Sequence, residues 1–195
     1  MTAMPYSALT AYPLRSARVH EVTGPSAASF VLWSAQQMRA DLLWVREGWR
    51  SEQLNPLGFG GFDPARLIMA ETREQTETLA VAEEALRDGV VAMVALEITA
   101  PLSLTAGRRL QLAAQAGGAT GVCLIPEGMG SNAAETRWHC APVFDRDDST
   151  LQCWRLIKNK SGTLGSWHVR WDAQACRVAV VPPAGNGPGS AGASD

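Results

Sequence analysis

The hydrophobic period of this chain changes once, near Pro126, and that change restricts the fold more than any other feature. Before it, short apolar runs alternate with amphipathic stretches; after it, only short alternating runs remain. Arg18–Thr23 alternates as a strand, Gly24-Pro25-Ser26 reads as a turn, and Ala27–Arg39 has helical spacing. Asp41–Arg46 and Leu67–Glu71 read as strands on either side of a Gly-, Asn- and Pro-rich loop, in which Asp63-Pro64 suits the start of a short turn. Thr72 to Gln75 has capping-box spacing, with Thr72 as N-cap and Gln75 reaching back. The helix it opens runs to Asp88 and stops at Gly89. Val90–Leu96 reads as a buried strand, Leu104–Ala116 as a helix, and Ala119–Ile125 as another buried strand. Thr136–Val143, Leu151–Lys158, Ser166–Asp172 and Cys176–Val181 then follow with no helix between them.

That order implies one α/β domain of three layers, whose mixed sheet has parallel β/α units followed by antiparallel C-terminal strands. The domain is expected over 18–181, with a loose arm at 1–17 and a disordered Pro/Gly/Ser-rich tail at 182–195. In such a sheet a ligand sits at the C-terminal ends of the parallel strands. The first strand-turn-helix is therefore the place to look for phosphate chemistry.

Charge narrows the choice. Lys plus Arg is 17 against 19 acids, a net charge of −2, which excludes a strongly basic nucleic-acid module. Only two of those cations, Lys158 and Lys160, are lysines. The start of the chain lacks an apolar leader segment, and the longest apolar run is far too short for a bilayer span, so a cytoplasmic protein is expected. The four cysteines form no CxxC pair and read as buried free thiols; neither a metal nor a cofactor is expected.

A Walker A loop, G-x-x-x-x-G-K-[ST], holds phosphate with its lysine and magnesium with its Ser/Thr. Here the context is right and the residues are wrong. Gly24 is in place, but Ser29 stands for the second glycine, Phe30 for the lysine and Val31 for the Ser/Thr. An apolar ring at Phe30 cannot neutralise a phosphate tail, so no ATP binding is expected. The same residues suit a helix packed on a sheet.

Four stretches, RVHEVTGPSAASF, GFDPARLIMAETREQTETLAVAEEALRDG, LTAGRRLQLAAQAGGATGVCLIPE and WRLIKNKSGTLGSWHVRW, give the chain a resemblance over 18–181 to the ImuA family. These are RecA-like proteins of bacterial mutagenesis operons, and behind them stands the RecA ATPase core. The resemblance implies a RecA-like fold. It puts Glu47 where such ATPases activate water, Glu97 where a Walker B carboxylate stands, and Glu127 where RecA senses the γ-phosphate. Glu47 and Glu97 also read as ordinary strand-end residues. Arg155 to Lys160 resembles the RecA segment that reaches across a filament interface.

The resemblance also implies where RecA's DNA-binding loops fall. The first lies between Ile98 and Thr105 and is very short; the second, Gly128–Glu135, carries no Lys or Arg. Little direct DNA binding is expected. A protein surface is expected instead, with Arg155, Lys158, Lys160, Trp167, Arg170 and Trp171 as candidates, although strand alternation also sends most of the C-terminal tryptophans into a core. The implied function is a non-enzymatic scaffold of SOS-type translesion synthesis. Its implied partners are an ImuB-like Y-family polymerase homologue, an error-prone replicative-type polymerase and RecA. Two alternatives stand beside it: a SulA-like cell-division inhibitor, and a RecA-family ATPase that uses Lys158 or Lys160 in trans.

Overall fold

A nine-stranded mixed sheet organises the chain, in a computed structural model that describes residue 9 and residues 11–182. The 183–195 part of the expected tail, and most of the expected arm, lie outside the described residues. The elements are β1 (Val19–Thr23), α1 (Ala27–Met38), β2 (Leu42–Glu47), β3 (Leu67–Thr72), α2 (Gln75–Asp88), β4 (Met93–Glu97), α3 (Leu104–Gly117), β5 (Thr120–Leu124), β6 (Thr136–Pro142), β7 (Gln152–Asn159), β8 (Gly165–Asp172) and β9 (Arg177–Val181). The spatial order is β3-β2-β4-β5-β1-β6-β7-β8-β9. Pairing is parallel from β3 through β6 and antiparallel from β6 to β9. The expected architecture is the observed one.

Side-chain alternation divides the interior in two. Val22, Leu42, Trp44, Met93 and Ala95 face the core shared with α1 and the antiparallel strands. Val19, Val45, Val94 and Leu96 face the core shared with α2 and α3. α1 is buried over six consecutive residues, Phe30 to Ala35, because both the parallel and the antiparallel strands pack around it. Gly89 and Gly118 end α2 and α3 in the left-handed region, which only glycine enters at no steric cost.

Four local expectations are corrected. Thr72 is not an N-cap: it lies in β3, where its hydroxyl meets the Arg46 carbonyl and the Thr78 hydroxyl. Gln75 does not reach back either. Its amide binds the backbone of Thr99 and Ala100 after β4, a stronger competitor because that segment has no strand partner for its N–H groups. Val90 is exposed and β4 begins only at Met93. Of the thiols, Cys123 and Cys140 are buried as expected, but Cys153 is half-buried and Cys176 lies exposed in the β8–β9 turn.

The end of the expected arm is not loose. Tyr12 and Leu14 are buried in the α1 core, and the Tyr12 ring meets Trp154 edge-on at 5.1 Å. Burying two large side chains outweighs the entropy of fixing a short segment. The same segment meets β1 at His20, which is buried between the Thr136 hydroxyl (2.7 Å) and the Arg15 carbonyl (3.0 Å). Burial lowers the His20 pKa to about 4, against the opposing pull of the Arg15 carbonyl. The unfolded chain therefore takes up a proton near pH 6.5 that the folded chain refuses. Stability is full above that pH and falls as the pH drops toward 4. The His20 share of the loss between pH 7 and pH 5 is about 2 kcal/mol. Urea unfolding at the two pH values should show it, and His20→Gln should flatten it.

Candidate functional site

Gly24 leaves β1 with φ of 95°, and a Cβ there would collide with the Cys140 carbonyl of β6. That carbonyl accepts from the Ser26 N–H at 3.1 Å. The turn that opens α1 is thus stitched to β6, and the glycine is required by this close approach.

Phe30 is fully buried. Its ring lies 4.7 Å from Trp154 in an edge-on contact, 5.5 Å from Trp138 and 6.0 Å from Tyr12. Trp33 extends the cluster to Trp171, and Trp138 extends it to Trp167. Val31 is fully buried and Ser29 half-buried. The position that carries a lysine in a Walker loop is here the centre of an aromatic core.

This places the four C-terminal tryptophans. Trp138, Trp154, Trp167 and Trp171 are all buried on the α1 side of the sheet, so Trp167 and Trp171 form no partner surface. Alternation along β8 explains it: Trp167, Val169 and Trp171 share the inward face, and Arg170 faces out. Arg155 is exposed on β7.

The two lysines serve the chain itself. Lys158 Nζ donates to the Ala134 carbonyl, and Lys160 Nζ to the Ala133 carbonyl at 2.6 Å. Burial, then repulsion from Lys160, lowers the Lys158 pKa. The segment they hold follows β5, where the second DNA loop was expected. Its Ser131 N–H donates to Glu21 Oε1 at 2.7 Å, and Arg137 Nε donates to Glu21 Oε2 at 2.6 Å. Arg137 also donates to the Ser131 carbonyl at 3.1 Å, and Gln111 to the Val19 and Ala133 carbonyls at 3.1 Å each. Glu21 is fully buried. Sequence reasoning did not single out Glu21 or Arg137; a carboxylate in the middle of an otherwise buried strand was the signal available.

A cavity of about 650 Å³ opens at the C-terminal ends of β1, β2, β4 and β5, where the sheet topology places a ligand. Gly24, Glu97 and Glu127 line it; Glu47 does not. Sequence reasoning missed its cations, Arg46 at the end of β2 and Arg50 just beyond. Arg50 Nε lies 2.9 Å from Glu97 Oε2, and Arg46 Nε lies 3.8 Å from Glu97 Oε1. Arg46 also donates to the carbonyls of Glu52 (2.5 Å) and Arg50 (3.3 Å). Glu97 accepts from Trp44 Nε1 at 2.7 Å. Glu47 is buried and accepts from Thr99 Oγ1 and Trp49 Nε1. Glu127 alone of the three acids is exposed. Arg46, Arg50, Glu52 and Glu97 are thus paired with one another and tie the loop after β2 to the sheet. Among the described residues no three His, Cys, Asp or Glu side chains are placed to hold a metal ion, and no helix is long and apolar enough to cross a membrane.

No family model matches the chain. It is similar to Protein ImuA of Caulobacter vibrioides in two strains, NA1000 / CB15N and ATCC 19089 / CIP 103742 / CB 15. It is 30% identical to each, over 91% of this chain and 77% of the relative. Among solved structures it is similar to the RadB recombinase, with a TM-score of 0.61 over 82% of this chain and 90% of the other at 13% identity. That likeness shows the RecA-like fold.

Proposed function

The chain belongs to the ImuA family, and from that membership we propose that it serves damage-inducible mutagenesis as a non-enzymatic scaffold, docking the proteins that carry out translesion synthesis. The observation that carries the proposal is the burial of Phe30 within the aromatic core. A phosphate tail at this loop finds no cation from α1. The nearest ones are Arg46, which pairs with Glu97 and donates to two backbone carbonyls, and Arg50, whose Nε lies 2.9 Å from Glu97. Drawing them away strands Glu97 without its ion pairs, at a cost a bound phosphate would have to exceed. Lys158 and Lys160, the candidates for help in trans, are each held by a carbonyl of their own chain. With nucleotide chemistry set aside, a RecA-like body offers surfaces.

The partner is an ImuB-type Y-family polymerase-like protein, with an error-prone replicative-type polymerase and RecA as further members of the assembly. Co-purification of tagged protein with ImuB tests this. Retention of ImuB supports the reading, and failure to associate with either protein in excess contradicts it.

A further inference from the structure

α3 buries Gly107, Leu110, Ala113 and Ala114 and leaves two further leucines outside that face. Leu104, Arg108 and Leu112 follow one another at four-residue spacing along a single stripe, with Leu104 46% and Leu112 66% exposed. Asn132, Ala133 and Lys160 form the opposite wall, and between the walls lies a groove of about 500 Å³. The groove's surface is almost wholly apolar, and an exposed pair of leucines on one rigid wall is an unfilled contact.

Two properties indicate what fills it. The first is charge. Its charged side chains are Arg108 and Lys160, and among the described residues that line it none is Asp or Glu. α3 itself contains no acid from end to end. Arg109 is neutralised by Glu83 at 2.8 Å, whereas Arg108 has no ion pair or hydrogen bond among the described residues. The second is rigidity. The far wall is pinned by Gln111 and Lys160 on the Ala133 carbonyl. α3 lies so close to it that a Cβ on Gly107 would collide with Ser131. A groove already in its final shape loses little entropy on binding. Leu104 and Leu112 are eight residues apart, about 12 Å along the helix, which is the length of about four extended residues.

We propose that this groove between α3 and the Asn132–Ala133 segment docks a short acidic segment of the ImuB partner, with aliphatic side chains between the leucines and a carboxylate on Arg108. The assignment rests on the reading of the protein as an ImuB-binding scaffold and adds the surface through which it binds.

Biolayer interferometry of the full chain against ImuB tests it, with Arg108→Glu, Leu112→Glu and, as a control in the β6–β7 loop, Arg146→Glu. All three residues are exposed, so melting curves should match wild type. The expected result is that Arg108→Glu and Leu112→Glu each weaken binding about tenfold or more. Binding should also weaken as salt rises, and Arg146→Glu should leave affinity unchanged. Wild-type affinity in both groove variants overturns the groove while leaving the scaffold reading intact. Absence of wild-type binding overturns the scaffold reading and the groove with it. A dimer of the chain alone that Leu112→Glu dissociates shows the occupant to be a second copy, and also overturns the proposal.

Discussion

A chain carrying Phe30→Lys, the substitution that reinstates the Walker lysine, is expected to lose its fold before it gains any affinity for ATP. Phe30 is fully buried among Tyr12, Trp138 and Trp154. Removing a phenylalanine from such a site costs about 3–5 kcal/mol in lost burial and cavity formation. Lysine adds the cost of an ammonium with no partner in an apolar cluster. Together they approach the whole stability of a domain, about 5–15 kcal/mol. Near-UV circular dichroism and a thermal scan should show the loss of the cooperative transition. Phe30→Leu keeps an apolar side chain in place and should fold, with a loss of about 1–2 kcal/mol. The full reversal, S29G/F30K/V31T, should behave like F30K. The damage lies in the core the ring has entered, which rebuilding the loop does not restore.

The second large effect is expected at Arg137→Ala. Glu21 is fully buried, and Arg137 is the ion-pair partner 2.6 Å away. Removing one member of a buried pair leaves the other as an uncompensated charge, at a cost of about 3–5 kcal/mol. The loss also releases the Ser131 carbonyl, and with it the segment that walls the α3 groove. The double variant Glu21→Leu/Arg137→Leu separates the two contributions. Replacing both charges removes the electrostatic penalty. The Ser131 N–H still loses its acceptor, which leaves the double variant about 1–3 kcal/mol below wild type. Urea unfolding of the three proteins measures both quantities. Equal stability of Arg137→Ala and wild type would show that the buried pair does not hold the segment.

The legible part of the fold was the part written in local periodicity. The break near Pro126 separated the β/α units from the strands that follow without helices, although β6 still pairs parallel with β1, and the alternation of Trp167, Val169 and Trp171 gave them a common face. Gly89 marked a helix end because only its own backbone conformation was at issue. Phe30 and Val31 were readable as helix core by the same logic.

What escaped depended on partners distant in sequence. Glu21 and Arg137 are 116 residues apart and meet because β1 and β6 lie side by side. Arg46 gave no sign from its own neighbours that it would turn toward Glu97 in the next strand of the sheet. Tyr12 sits in a segment without periodicity, and only the cluster around Phe30 and Trp154 gives it a place. Thr72 and Gln75 had capping-box spacing, yet better hydrogen-bond partners from β2 and the segment after β4 claimed both side chains. A reach of the lysines toward another subunit was implied by the resemblance alone, and the carbonyls they serve, 24 and 27 residues away, could not be read from the sequence.

The proposed loss of phosphate binding rests on Phe30 lying in the core. Isothermal titration of the purified full chain with Mg-ATP is expected to give no saturable heat at any concentration that keeps the protein folded; a micromolar dissociation constant would show that the turn after β1 still holds phosphate.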